Sequence, residues 1–400
     1  MKLVSYNPIW TNKNPVLNKY TYLSKNEDCD ILIIGGGITG AILSYYLSFL
    51  GKKIILVDKN IIGYGSTSAS TSILQYEVDY DILELEKKIG IVNALKAYKA
   101  NEAAVYEIER IIKTLKDKCD FTRRESLYFT QDKTKVQKFK EEYKIRRAAD
   151  FDIEFLDKNS AKDKFSFPIE AAIYSRCGGA EIDPYRFAHE LIKDSQTRGL
   201  IVYENTAVLK YQHKNNKIII YTDKHKKITA QKVVVATGYQ AKNLIKQNIV
   251  TLNTSFTIAT KPVKNFDGWY NRCIIRNDCT PYNYLRTTQD NRIIIGGEDI
   301  ALNNPPQIII KDKYKKLEEK LHQMFPNIDF EIEFKFHGLF GDTKDGLPYI
   351  GQHPKFKNFY FALGYGSNGI LYSIIAGQII RDMIAEGKVH KDIHLYSFTR

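Results

Sequence analysis

Cysteine is scarce: the five residues Cys29, Cys119, Cys177, Cys273 and Cys279 are odd in number and contain no CxxC pair. That fits reduced, mostly structural thiols. The eight histidines show no metal-ligand spacing, so neither a zinc site nor an iron–sulfur cluster is suggested and no metal is expected. The N-terminus lacks a long apolar h-region, and no apolar run reaches the length of a membrane span. The longest run, residues 370–380, is interrupted by Ser373 and Gln378 and followed by Arg381 and Asp382, as suits a core helix. With neither leader nor span, the expected location is cytoplasmic.

What is present suits an ordinary globular chain, 44% hydrophobic and 26% charged. Its 400 residues exceed one ordinary core and suit two domains. A formal charge of +13 raises the question of nucleic acid. Most lysines, however, lie in mixed runs such as 133–144 and 311–320, where acids and apolar residues interleave on amphipathic patterns. A solvated lysine-rich surface follows, and a nucleic-acid partner is not expected.

Residues 30–58 organise the rest. Residues 31–34 are a short apolar run without alternation, the mark of a buried parallel strand, and Gly35, Gly37 and Gly40 close it in a GxGxxG pattern. Gly35 makes the tight turn, Gly37 lets backbone approach a pyrophosphate, and Gly40 lets the following helix, which opens with Ile38 and Thr39, pack on the strand. A second strand, residues 54–57, ends in Asp58, where a carboxylate takes a ribose hydroxyl and disfavours a 2′-phosphate. This is a dinucleotide site. NAD and FAD both remain open at this point.

Residues 1–27 carry Pro8, Trp10, Pro15, Tyr20 and Tyr22 and read as an extended arm draped over the domain. After Asp58 and Lys59, the run 63–72 is dense in small hydroxyl residues, which let backbone pass close to a ligand. Residues 79–118 have helical spacing broken at Gly90, so two helices are expected. Residues 121–130 and 153–155 read as strands around a charged helix over 133–149. Residues 177–184 read as a turn leading into a helix with Asp183 as N-cap and Pro184 at its first position. Residues 232–239 are another buried parallel strand with a glycine turn. Residues 251–297 form a string of strands, favouring an antiparallel sheet over a cavity. An amphipathic helix spans 309–325, and residues 332–336 are the returning strand. Finally, residues 364–369 make a second glycine-rich helix N-terminus, a second place to stabilise negative charge; a reduced flavin profits from one, whereas an NAD dehydrogenase does not need it.

Together these blocks resemble the D-amino-acid-oxidase superfamily of FAD-dependent oxidoreductases, which includes glycine, sarcosine and γ-glutamylputrescine oxidases. The resemblance rests on residues 33–40, on Val235-Ala236-Thr237-Gly238, on Tyr284-Leu285-Arg286 followed by Gly296-Gly297, and on residues 345–351. It implies an α/β, two-lobed fold, with a Rossmann-like FAD-binding domain and an inserted substrate domain on a mixed or antiparallel sheet. The corresponding division is an arm over 1–27, FAD-binding segments 28–118, 171–245 and 336–400, and substrate segments 119–170 and 246–335. By resemblance, Gly65, Ser66, Thr67, Ser70, Thr71 and Ser72 run beside the pyrophosphate and flavin, and Val208 meets the adenine side. Ala236, Thr237, Gly238 and Gly338 line the same site, and Gly364, Gly366, Ser367, Asn368, Gly369 and Ile370 face the pyrimidine end of the flavin. Some relatives of this kind carry an attached Rieske domain; no Cys/His cluster appears before Arg400, so none is expected here.

Two departures from the family pattern matter. Its amino-acid oxidases hold the substrate carboxylate with the arginine of a Trp-x-Gly-x-Arg pattern; the matching residues here are Phe336, Gly338 and Phe340. A phenyl ring cannot replace a bidentate guanidinium. The flavin-linking cysteine of sarcosine oxidase is matched by Gly338, so noncovalent FAD is expected. The implied reaction moves a hydride from the carbon beside an amine nitrogen to flavin N5, giving an imine that water hydrolyses. A small amine or amino-acid-like molecule is the implied substrate, with oxygen or another carrier as electron acceptor. Tyr284, Arg286, His337 and Tyr365 are the catalytic candidates. A flavoprotein acting on a tRNA base and a non-catalytic nucleotide-binding protein are the rival readings.

Overall fold

The computed structural model of the protein describes residues 4–243, 245, 249–387 and 390–400. The apolar runs around the first glycine turn become the centre of an eight-stranded sheet. Phe359–Leu363, Lys227–Val235, Glu27–Ile34, Ile54–Val57 and Ile201–Tyr203 lie parallel in that order, and Tyr349–Gln352 runs antiparallel on the outer edge. These strands are covered on both faces, which is why they read as continuous hydrophobic runs. Ile31, Ile33, Ile54 and Leu56 pack toward the helices Ile38–Ser48, Pro184–Gln196 and Gly369–Glu386. Leu32, Ile34, Ile55 and Val57 pack under the antiparallel strands Val208–Lys214 and Lys217–Thr222. The carboxyl ends of four parallel strands, at Gly35, Asp58, Ala236 and Gly364, fall on the same edge, the edge at which parallel sheets bind ligands.

The second sheet has ten strands and is mixed. Its order is Val4–Tyr6, Ile332–Asp342, Thr251–Thr260, Ile293–Ile300, Tyr284–Thr287, Ile274–Asn277, Thr122–Thr130, Ala171–Glu181 and Ile73–Gln75, with Ile153–Asp157 on Ala171–Glu181. Among the described residues only the pairing of Ile274–Asn277 with Thr122–Thr130 is parallel. One of its faces buries Phe256, Ile258, Ile293 and Ile295 under the helix Gln307–Met324; on the other, Ile294 and Phe336 cluster with Ile9, Trp10 and Tyr185. The α/β, two-lobed class expected from the sequence is the class observed. Strands at 171–181 and 336–342, which the division above placed with the FAD-binding segments, pair in this second sheet.

Several local expectations hold for visible reasons. Gly90, at φ 80°, separates the helices Ile82–Ile89 and Ile91–Thr114. Asp183 caps Pro184–Gln196 by accepting from the Tyr185 and Arg186 amides, each at 3.0 Å. The turn expected over 177–184 is instead the end of the strand Ala171–Glu181. Its glycines serve close packing: a Cβ on Gly178 would lie 2.4 Å from the Tyr76 ring. Among the described residues no helix is long and apolar enough to cross a membrane.

The N-terminal arm docks. Val4–Tyr6 adds to the edge of Ile332–Asp342, and the short helix Ile9–Lys13 buries Ile9 and Trp10. The Trp10 indole Nε1 donates to the Ser70 carbonyl at 2.6 Å, and the Arg286 guanidinium lies 5.4 Å from its ring centre. The arm thus bears on the hydroxyl-rich loop from outside. Trp10→Ala removes that contact and should cost about 3–5 kcal/mol of stability; unchanged thermal unfolding would contradict this role.

Candidate active site

Backbone packs against backbone where the first sheet meets its ligand edge. Gly35 sits at φ 109° with the place of a Cβ 2.4 Å from the Ala236 carbonyl oxygen, and a Cβ on Gly40 would lie 1.8 Å from the Gly35 carbonyl oxygen. No side chain fits at either position. The Asp58 carboxylate accepts from the Gly36 amide at 2.6 Å and the Asn60 amide at 2.7 Å, so it braces the glycine turn as well as bordering the cavity. Burial raises its pKa, and these two amides oppose the rise. The Ile38 amide, at the start of the helix, donates to Thr67 Oγ1 at 2.9 Å and draws the hydroxyl-rich loop over the helix N-terminus.

These elements enclose a cavity of about 490 Å³. Every cofactor-binding candidate borders it except Gly40, which lies behind in the helix–strand contact. Of the catalytic candidates, Tyr284 and Tyr365 border it and Arg286 and His337 do not. Tyr284 lies across the strand at Gly296, where a Cβ would be 2.3 Å from its ring, and its hydroxyl meets Ser255 Oγ at 2.9 Å. That explains the spacing of Tyr284 from the Gly296-Gly297 pair.

Arg286 is a correction. Its guanidinium is 1% exposed and is spent on backbone carbonyls: Thr287 at 2.8 Å, Thr71 at 3.2 Å, Ser72 at 2.8 Å and Ile182 at 3.0 Å. It shapes the loop, with Ser72 at φ 56°, and does not border the cavity in which a substrate would sit. Burial lowers its pKa, while Glu181 raises it. His337 is the second correction. It lies on the opposite face of its strand, where its Nδ1 meets the Tyr314 hydroxyl at 2.9 Å and its ring packs on Phe256.

The turn at 364–369 is held from below. Asp79 accepts from the Ser367 amide at 3.2 Å and from the Ser367 hydroxyl, and Tyr282 donates to it at 3.1 Å. Asn368 Nδ2 donates to the Gln75 and Glu77 carbonyls at 3.2 and 2.9 Å. The residues present fit FAD on three observations. A side-chain-free backbone cradle opens on a helix N-terminus; a second glycine-rich helix start lies at the far end; and the buried hydroxyls of Ser72 and Thr237 border the cavity without hydrogen-bond partners. No cysteine or histidine borders the cavity among the described residues.

Sequence reasoning missed Asp299. The strand Ile293–Ile300 carries one extra residue against its neighbour, since Phe256 faces Gly297 but Thr254 faces Ile300. A period-two count from Ile293 and Ile295 puts residue 299 on the helix side. The bulge, with Glu298 at φ 56°, reverses that count: Glu298 pairs with Lys313 of the helix at 2.9 Å, and Asp299 borders the cavity. A second cavity of about 510 Å³ shares Tyr282, Asp299 and Phe340 with the first. Burial pushes the Asp299 carboxyl up to about 7, its neighbours Asp342, Asp79 and Glu298 add to the rise, and Ser255 opposes it. Burial and Asp79 likewise push Asp342 up to about 6.

A parallel sheet with a glycine cradle, joined to an aromatic chamber beneath a mixed sheet, defines a dinucleotide-dependent redox enzyme. The model of the family described as FAD dependent oxidoreductase, DAO, matches residues 30–383, and the chain belongs to that family. Its cofactor is FAD. Glycine oxidase of Bacillus subtilis (strain 168) is 25% identical over 93% of this chain and 97% of its own length. The γ-glutamylputrescine oxidoreductase of Escherichia coli (strain K12) is 24% identical over 92% of this chain and 87% of its own. Among solved structures, glycine oxidase from Geobacillus kaustophilus shares the fold with a TM-score of 0.78 at 19% identity, covering 94% of this chain and 99% of that one.

Two outcomes test the geometry. Gly40→Ala drives a methyl group into the Gly35 carbonyl; it should cost about 1–3 kcal/mol or more and lower the flavin-to-protein absorbance ratio. An unchanged ratio would contradict the cradle. For Asp299, a folded pKa near 7 lies above the ordinary carboxylate value, so its ionisation weakens the fold. The penalty is absent below about pH 4 and grows as pH rises toward 7. Asp299→Asn should therefore be more stable than the parent at about pH 8, by on the order of 1–3 kcal/mol, with a correspondingly higher melting temperature, and match it at low pH. Equal melting at both pH values would contradict this.

Proposed function

We propose that the protein oxidises the C–N bond of a small amine or amino-acid-like substrate. The observation that carries this reading is the chamber bordered by Tyr282, Tyr284, Phe340 and Tyr365, apolar and aromatic, at the cavity end beside the second glycine turn. FAD, held along the Gly35 turn and the second glycine turn, would supply the two-electron acceptor for the hydride lost by the carbon beside the nitrogen. The chain supplies the rest. Tyr284, anchored by Ser255, and Phe340 give a rigid surface against which the reacting carbon is oriented, and the ring faces exclude water while the C–H bond breaks. Water then hydrolyses the imine.

Relatives named for glycine and for γ-glutamylputrescine support an amine nitrogen as the common feature. The electron acceptor is oxygen or another carrier. The test is the visible spectrum of the purified protein under anaerobic conditions, before and after a panel of primary amines, N-methyl amines and D-amino acids. The yellow flavin absorbance should bleach with at least one amine. A flavin that none of them bleaches would overturn the reading.

A further inference from the structure

We infer that Asp299 receives the substrate's ammonium group, so that the preferred substrate is a cationic amine with no carboxylate on the reacting carbon. The inference rests on the amine-oxidation reading and sharpens it.

Charge around the cavity is sharply divided. Its charged border residues are Asp58, Lys59 and Lys210 at the nucleotide end and Asp299 in the aromatic chamber. Among the described residues the chamber therefore offers an anion and no cation. An amino-acid substrate brings a carboxylate that needs a cationic partner, and the position where such a partner would stand holds Phe340. Arg286 is bound to four carbonyls. Arg276, in the adjoining cavity, donates to the Val78 carbonyl at 2.7 Å and the Asp79 carbonyl at 2.6 Å and stacks on Tyr282. A carboxylate in this chamber would meet Asp299 with no described cation on the chamber border to pair with it.

An ammonium would meet the opposite situation. The bulge turns Asp299 into the chamber, and its Oδ1 is buried with no hydrogen-bond partner, which is costly for a carboxylate unless a donor arrives. Ser255 lies against it from the neighbouring strand. The acids that face it, Asp79 and Asp342, make no ion pair among the described residues, and they reinforce a negative potential. The two other acids bordering the adjoining cavity are neutralised: Asp278 by Lys135 at 2.8 Å and Glu84 by Lys138 at 3.0 Å. The aromatic faces of Tyr282 and Tyr284 complete a setting that suits a cation.

The experiment uses the FAD-loaded protein and two redox-inert probes, tetramethylammonium and acetate, read by the shift each causes in the flavin absorption band at about pH 8, above the titration of Asp299. Tetramethylammonium should give a saturable shift and acetate none. Asp299→Asn should weaken that binding by about tenfold or more, and Asp299→Glu, which keeps the charge, should restore most of it. Phe340→Arg should reverse the preference and admit acetate. Wild-type affinity for the cation should fall as pH drops below 7, and the Asn variant should lose most of that slope, keeping only the part that Asp342 contributes near pH 6. Acetate binding to the wild type as well as tetramethylammonium, or an Asn variant that binds the cation unchanged, would overturn the assignment. Failures separate cleanly: amine bleaching that the Asn variant retains in full sinks the role of Asp299 alone, whereas cation binding without bleaching by any amine sinks the oxidation reading.

Discussion

The structure depends on a junction in which three backbone segments touch with no side chain between them. The Gly35 turn lies against the Ala236 carbonyl on one side, and Gly40 lies against the Gly35 carbonyl on the other. Because the three are in contact, the strand Glu27–Ile34, its parallel neighbour Lys227–Val235 and the helix Ile38–Ser48 are fixed relative to one another. That fixes the direction of the helix dipole and the opening through which a pyrophosphate reaches backbone amides. Everything else in the cofactor cavity is assembled around this junction, and by chain that is far away in sequence.

Two buried polar residues carry out that assembly. Arg286, from the second sheet, binds the carbonyls of Thr71, Ser72 and Ile182 and so clamps the hydroxyl-rich loop of the first lobe to the strands of the second. Asn368 similarly ties the last helix to the carbonyls at Gln75 and Glu77. Each group gives up hydration and is repaid by several backbone acceptors, which is what lets polar side chains sit at an interface between sheets. The N-terminal arm adds Trp10 on the outside of the same loop. The cavity walls are therefore held from both sheets and from the arm, which accords with a site that must orient a flavin against a second molecule.

What was legible in the sequence follows the range of the forces involved. The parallel strands, the glycine turn and the Asp183 cap are local, and the residues that form them state their own conformation. The second glycine turn is local in the same way, and the family pattern linked Tyr284 with the Gly296-Gly297 pair in sequence, while their pairing across strands came from the fold. Roles set by strand face or by distant partners were not legible. Arg286 reads as a free cation until its carbonyl partners from other segments are seen, and His337 reads as a site residue until the strand shows which way it points. Asp299 is the most instructive case, because a one-residue bulge reverses the alternation from which its face would be inferred. The strand at 177–181 was hidden by its glycines, which suggest a turn but serve the close approach of Tyr76.

The central claim, that this cavity brings FAD and an amine together for C–N oxidation, is tested most directly by identifying the product. A primary amine from the panel is mixed anaerobically with a known amount of the FAD-loaded protein, and the carbonyl compound and ammonia released are quantified against the flavin reduced. The account predicts one carbonyl and one ammonia for each flavin reduced, since a hydride leaves the carbon and water completes the cleavage. Reduced flavin without either product, or flavin that stays oxidised with every amine, would contradict it.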